Sequence, residues 1–374
     1  MTTPPPPAPP QRLLSLDALR GFDMMFIVGA DAFDAAFEHL RAGPPGRWLH
    51  VQLDHVAWAG FHIEDLIFPT FVFMVGVALT FSLGRLVASE GRAGAFRRIF
   101  RRAALMYVIG IFYYGGFATP LAQIRLMGVL QRIALCYLFA SLLYIYLRPR
   151  ALVATLVGIL VGYWALMTFV PVPGFGAGDF AEGHNLANWI DQRFLPLRKW
   201  DGDHDPEGLL STLPAVATCL LGVLAGLLLR DTSRTEGRRA LLLAAGGAIL
   251  IVLGEAWGLQ FPVIKKIWTS SFVLVAGGWS LVLLGAFYTV VDIWKVRGWA
   301  MPFVWMGTNS IAIYLISNIA DFWKLSERIV GGDVANWLDA RWAGSSGLAL
   351  ALVSTALCMG LCGFLYRRGI FLRL

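Results

Sequence analysis

Charge is scarce in this chain. Only 15% of its 374 residues are Asp, Glu, Lys or Arg, against about 25% in a typical soluble domain. It is therefore short of the polar surface that a water-soluble enzyme of this size needs, and its 57% hydrophobic content excludes a disordered protein. Cysteine is almost missing as well. Cys136, Cys219, Cys358 and Cys362 all sit in apolar runs, where free Cys acts as a small packing residue, so neither a disulfide framework nor a metal site follows from them. No zinc-helix spacing and no internal repeat stands out. The start lacks a basic segment followed by an apolar core. Residues 2–10 are mostly Pro, which cannot form a helix, so residues 1–15 read as a cytoplasmic tail and not as a signal peptide. The net charge is nevertheless +7. With so little total charge, that excess fits a membrane protein with basic loops and argues against a nucleic-acid partner.

What the chain has in abundance is long apolar runs. A spanning helix takes roughly 20 mostly apolar residues. Runs of that kind fall at about 18–38, 64–84, 100–117, 126–147, 151–170, 209–229, 240–257, 270–293, 302–320 and 347–366, with ends uncertain by roughly 2–4 residues. The expected fold is all-α: a polytopic bundle of about ten transmembrane helices, with residues 16–374 as one domain. With the N-terminus placed in the cytoplasm, 19 of the 31 Lys and Arg fall inside, 11 outside, and Arg132 lies within a span. Short loops carry the bias, as the positive-inside rule requires. Both termini are then cytoplasmic, and the long loops 39–63, 171–208 and 321–346 face outward, where reactive chemistry is expected.

Several polar residues need a reason. A charge at the bilayer centre costs roughly 2.5–3.5 kcal/mol on insertion scales, yet the first run contains Asp17, Arg20, Asp23, Asp31 and Asp34. On a helical projection all of them fall within one sector of about 120°, which must face the bundle or a water-filled cavity. Structural pairing of Arg20 with Asp17 or Asp23 is one reading; a cavity open to the outside at Asp31 and Asp34 is the other. The stretch from His50 to Pro69 adds Asp54, His55, His62, Glu64 and Asp65. A His near a carboxylate suits general-base work near neutral pH, while solvated loop residues would look the same. Asp201 to Gly208 opens like a calcium loop but has Pro206 at the tight-turn position and Thr212 at the twelfth; it reads as a turn leading Glu207 toward the next helix. Arg132, beside Gln131, must find a carboxylate or an anionic ligand. Ser310, Tyr314, Ser317 and Asp321 form a polar stripe at helical spacing, with Asn309 beside it.

These islands together resemble the heparan-α-glucosaminide N-acetyltransferase family, including its bacterial members with amino-sugar-related roles. The resemblance rests on Leu16-Asp17-Ala18-Leu19-Arg20-Gly21, on His55 to Trp58 with Gly60, and on Asp65-Leu66-Ile67-Phe68-Pro69 with Phe71 to Gly76. It continues through Gly128-Val129-Leu130-Gln131-Arg132, Asp205-Pro206-Glu207-Gly208, Lys265 with Trp268, Pro302-Phe303, Asn309-Ser310-Ile311, Tyr314 and Tyr366-Arg367-Arg368. No single island is specific; their order and spacing along nearly the whole chain are.

The resemblance implies a membrane acetyltransferase that takes acetyl-CoA, as co-substrate, from the cytoplasm and acetylates an amine of a glucosamine-type sugar on the far side. The family's catalytic His maps onto His55. Asp31 or Asp65 is expected to orient it; eukaryotic members carry Asn at the position of Asp31 and at that of Ala59. On the CoA side the candidates are Arg97, Arg98, Arg101 and Arg102, which can neutralise phosphates, with Arg132 and Gln131. On the acceptor side they are Asp34, Trp58, Glu207 and Asn309. No metal is expected. A bacterial inner membrane and a homodimer are what the family suggests. The competing class is an amino-sugar transporter.

Overall fold

The computed structural model describes residues 13–39 and 43–371. The Pro-rich tail expected over residues 1–15 lies outside the described residues as far as residue 12, and helix begins at Leu14. The chain then runs as α1 (Leu14–His39), α2 (Gly43–Leu53), α3 (Ile63–Tyr113), α4 (Val129–Tyr146), α5 (Pro149–Phe169), α6 (Leu186–Phe194) and α7 (Thr212–Arg230). It continues as α8 (Glu236–Gly258), α9 (Ser270–Phe287) extended by a π-helical turn (Tyr288–Ile293), α10 (Met301–Thr308), α11 (Ser310–Ala320), α12 (Phe322–Val330), α13 (Asp333–Arg341) and α14 (Ser345–Arg367). No strand occurs among the described residues. Helix starts are chemically marked: Pro149 opens α5, and the side chains of Asn185, Thr235 and Thr269 cap α6, α8 and α9 by accepting a backbone N–H three residues on.

Every apolar run expected to span has a helical counterpart, but the elements are divided differently. The runs at 64–84 and 100–117 belong to one 51-residue element, α3. If straight it would reach about 77 Å, more than twice the hydrocarbon thickness of about 30 Å. Gly91 breaks it with φ 69° and ψ 178°, a left-handed conformation that costs Gly nothing. The run at 302–320 is also broken: α10 and α11 meet at Asn309 with a bend of 73°. By length and composition, seven helices among the described residues can cross a membrane, or eight if the bent pair is one span; the count of ten is not reached on that measure. α1 is helical throughout. The chain is a multi-pass membrane protein.

With lipid outside, helices gain little from apolar burial against one another and associate by close contact of small residues. A Cβ added to Gly21 would lie 1.7 Å from the Phe303 carbonyl oxygen, and one on Gly307 would lie 1.8 Å from that of Asp17, so α1 and α10 touch backbone to backbone. α3 and α7 do the same at Gly76 and Gly222, where an added Cβ would lie 1.9 Å from the carbonyl oxygens of Cys219 and Phe73. These neighbours are main chain and cannot swing aside. Gly222→Leu is therefore expected to abolish recovery of monodisperse protein in detergent size-exclusion chromatography, whereas Gly158→Leu, in open space on α5, should leave it intact. All four cysteines are buried and unpaired, as the apolar runs around them suggest.

Candidate active site

Three loops meet at one end of the bundle. The segment that leads into α3 is tied to the α8–α9 loop by the Gly60 N–H, which donates to the Val263 carbonyl at 2.9 Å, and by an isolated antiparallel bridge between Ala59 and Ile264. It is tied to the loop after α5 by the Trp58 indole, which donates to the Phe180 carbonyl at 2.9 Å. Asp65 sits in the first turn of α3 and is 1% exposed. Its Oδ2 accepts the backbone N–H groups of His62 (3.1 Å) and Val56 (3.3 Å). A carboxylate here also faces the positive end of the helix dipole.

That arrangement fixes the other carboxylate oxygen. Oδ1 lies 3.2 Å from His55 Nδ1 and 3.2 Å from Lys265 Nζ, and the latter two atoms are 3.1 Å apart. Where Nδ1–H donates to Asp65, the imidazole carries its lone pair on Nε2, the form a general base requires; the Lys265 ammonium, which can only donate, competes for Nδ1 and would leave the proton on Nε2. The His55 side chain is 58% exposed, so this nitrogen is open to a bulky reactant while its partner carboxylate is buried. Lys265 supplies the countercharge for Asp65. Sequence alone points to His55 and Asp65 but gives Lys265 no role, because its contact with His55 spans 210 positions.

The other expected residues fall in three places. Trp58 belongs to the His55 loop. Asp34 is on α1 and meets His50 Nδ1 at 2.7 Å. Asp31 does not reach His55 in any described contact; it lines a cavity of about 390 Å³ with Ser317, Asp321 and Trp323. At the opposite end, a cavity of about 420 Å³ is lined by Asp17, Arg20, Ser82, Arg102, Tyr137 and Ser310, among others. Arg102 also lies over the Tyr137 ring at 5.0 Å. Arg97 and Arg101 are exposed, and Arg98 pairs with Glu90. Asn309 is buried at the α10–α11 break beside this cavity, and its amide donates to the Ile370 carbonyl at 3.0 Å. Between the two cavities lies a narrow apolar space of about 20 Å³ lined by Met24, Ile27, Phe68, Phe71, Ile133, Ile311 and Tyr314. It shares Phe71, Ile133 and Ile311 with the larger cavity. α1 and α11 contribute to all three spaces, so the polar stripe of α11 runs from one cavity to the other.

Arg132, Gln131 and Glu207 lie in a buried polar layer. The Arg132 guanidinium donates to Ser211 Oγ and to the Gly208 carbonyl, and packs over the Trp268 ring at 4.9 Å. The Gln131 amide donates to the Arg125 carbonyl at 3.3 Å. Arg125, a residue that sequence reasoning passed over as a loop cation, is the hub. Its Nε and Nη2 grip Asp205 at 2.8 and 2.6 Å, Nη2 also reaches Glu207, and Tyr114 and Trp200 flank it at 4.8 and 4.9 Å. Burial alone would disfavour the charge on Arg125, but Asp205 and Glu207 more than offset this and hold it protonated. Burial pushes the Glu207 carboxyl up, against the pull of Arg125 and Arg132.

Asp191 on α6 completes this layer. It accepts the N–H groups of Leu209 (2.8 Å) and Asp205 (3.4 Å). Burial raises its pKa to about 6, with those hydrogen bonds acting in the opposite sense. A carboxyl that holds its proton more tightly when folded loses stability as pH rises from about 4 to about 6. Asp191→Asn cannot ionise. Its melting temperature relative to the parent is therefore expected to climb between pH 4 and pH 7, with the relative gain reaching at most about 3 kcal/mol; a difference that stays flat across this range in thermal-shift titrations would refute it.

Residues 12–256 match the family model described as heparan-alpha-glucosaminide N-acetyltransferase, catalytic. The chain is similar to the heparan-alpha-glucosaminide N-acetyltransferase of Homo sapiens, with 26% identity over 426 residues covering 97% of this chain and 60% of that protein. It is also similar to the protein of the same name from Mus musculus, with 25% identity covering 84% of this chain and 55% of that one. The chain thus spans little more than half the length of these relatives.

Proposed function

The chain belongs to the heparan-α-glucosaminide N-acetyltransferase family, and from that premise we propose that it is a membrane acetyltransferase that carries an acetyl group from acetyl-CoA to the amine of a glucosamine-type sugar across the bilayer. The observation that carries the reading is the contact of His55 Nδ1 with the buried Asp65 carboxylate, beside Lys265. Acetyl transfer needs an uncharged amine. His55 Nε2 takes the proton as the amine nitrogen attacks the thioester carbonyl; the C–N bond forms, the C–S bond breaks, and CoA leaves as thiolate and is protonated. Asp65 holds the ring and stabilises the imidazolium. An acetyl-His intermediate uses the same nitrogen as nucleophile.

We infer from the positive-inside bias that the cavity lined by Arg20 and Arg102 faces the cytoplasm, with both termini on that side of a bacterial inner membrane. The nucleotide phosphates of CoA would sit there, with Arg97, Arg98 and Arg101 adding to the field. The pantetheine arm would pass Phe71 and Ile133 along α1 and α11. From Leu79 on the cavity wall to Asp65 the climb is about 21 Å of helix. At the outer end, the cavity containing Asp31 and Asp321 offers carboxylates to an ammonium group, and Trp58 offers an apolar ring face to a sugar. Proteoliposomes with labelled acetyl-CoA outside and glucosamine inside test the whole scheme. The expected result is labelled N-acetylglucosamine inside and free CoA outside. The transporter reading draws on the broken helix pair α10–α11, because transporter sites are built from discontinuous helices; unmodified glucosamine crossing the membrane would support it instead.

A further inference from the structure

We propose that Glu182, Asp201 and His204 form a binding site for a zinc-class divalent cation on the loop between α5 and α7. The inference stands apart from the acetyl-transfer reading: none of the three ligands takes part in it, and the two share only the contact of Lys266 with the Trp58 ring. One ligand atom from each of the three lies within 4.8 Å of the others. His204 Nε2 is 3.5 Å from Glu182 Oε1 and 3.7 Å from Asp201 Oδ2. Ligands bound to one tetrahedral ion at about 2.0–2.2 Å are separated by roughly 3.4 Å, so the three atoms already stand near the spacing that a shared ion imposes.

The second observation is His204 itself. Its side chain is 5% exposed, and Nε2 is a buried nitrogen with no hydrogen-bond partner, aimed at the two carboxylates. Its other nitrogen is engaged: Nδ1 meets Asp203 Oδ1 at 2.6 Å. A carboxylate on Nδ1–H fixes the tautomer with the lone pair on Nε2, and this is the outer-shell arrangement that metal-ligating histidines use. Asp203 is in turn held by the Gln192 amide at 2.8 Å. Desolvating an imidazole lone pair without a partner is costly, and an ion supplies the partner.

The charge balance points the same way. Glu182, Asp201 and Asp203 bring three negative charges to the cluster. The cation in contact with it is Lys266, whose Nζ lies 2.9 Å from Glu182 Oε1 and 3.2 Å from Asp201 Oδ2. With His204 neutral, the group carries an excess of two negative charges, which a dication cancels. Binding moves the Lys266 ammonium off the carboxylates and toward the Trp58 ring, whose centroid is 6.0 Å from Nζ. One imidazole and two carboxylates suit zinc better than calcium or magnesium, which prefer all-oxygen shells.

The test uses the full-length chain, purified in detergent at pH 7.5 with a histidine-free tag, stripped with chelator and titrated with zinc chloride alone by calorimetry. We expect one ion per chain with micromolar or tighter affinity and a rise in melting temperature on addition. His204→Ala should lose the site. Asp203→Asn should weaken it about 10- to 100-fold, as the loss of an outer-shell partner does. Lys266→Met, which removes the competing cation, should tighten it. If His204→Ala fails to fold, Asp203→Asn and Lys266→Met decide the matter. The proposal is overturned if the parent and Lys266→Met take up no zinc, if the variants bind it as the parent does, or if calcium binds equally well.

Discussion

His55→Ala is expected to lower the rate of acetyl transfer by about 10²- to 10⁴-fold, the range ascribed to a positioned general base, while the protein folds and binds acetyl-CoA as before. The side chain is more than half exposed and its loss leaves no cavity, so stability should change little. The asymmetry between binding and chemistry is the informative part. In the proposed scheme, labelled acetyl-CoA retention on the purified variant would report the cavity lined by Arg20 and Arg102, and product formation with glucosamine would report the His55 end. A variant that acetylates glucosamine at the parental rate would remove His55 from the chemistry. Asp65→Asn gives a second readout, because it keeps the shape of the side chain but removes the charge that stabilises the imidazolium. An intermediate loss with unchanged CoA binding is expected there.

The largest effect on folding is expected at Arg125. Removing the guanidinium strands Asp205 and Glu207, both buried, without their countercharge. Breaking one partner of a buried ion pair typically costs about 3–5 kcal/mol. Arg125→Ala also removes the plate between Tyr114 and Trp200. We expect the variant to be lost from detergent extracts or to melt far below the parent. Arg125→Lys should recover little, because an ammonium cannot make the two-pronged contact with Asp205. A parental melting curve for Arg125→Ala would show that the layer is not the keystone described here.

Why the sequence tells so much about the helices and so little about this layer is a matter of range. Apolar runs mark helices because lipid imposes composition locally. The joint at residues 85–99 does not look like a membrane segment, so two spans were expected where the structure has one element broken at Gly91. The short helices α2, α6, α12 and α13 lie in the long loops and are too brief and too polar to register as spans. Arg125 finds Asp205 across 80 positions and Lys265 finds His55 across 210; no local pattern encodes either.

The polar sector of α1 shows a subtler limit. A helical projection gives azimuth but not depth. Arg20 and Asp31 share a face, yet they are about 17 Å apart along the axis and line different cavities. His55 and Asp65, by contrast, are close in sequence and on one loop-to-helix turn, which is why they could be read together.

The glycine contacts between α1 and α10 bear on which acyl donors the enzyme would accept. Asp17, Arg20 and Gly307 line the larger cavity, and at that crossing the two helices already touch through main chain. This wall can yield only if whole helices part. The facing wall is made of side chains, Phe71 and Ile133 among them, which can change rotamer one at a time. The throat therefore widens by small increments from one side only. In the proposed scheme a short acyl group would pass at the expense of a rotamer or two, and each added carbon would meet a barrier set by Phe71 and not by the reacting residues. Chain-length selectivity would then reside about 9 Å of helix below Asp65, and so be separable from the machinery that moves the proton.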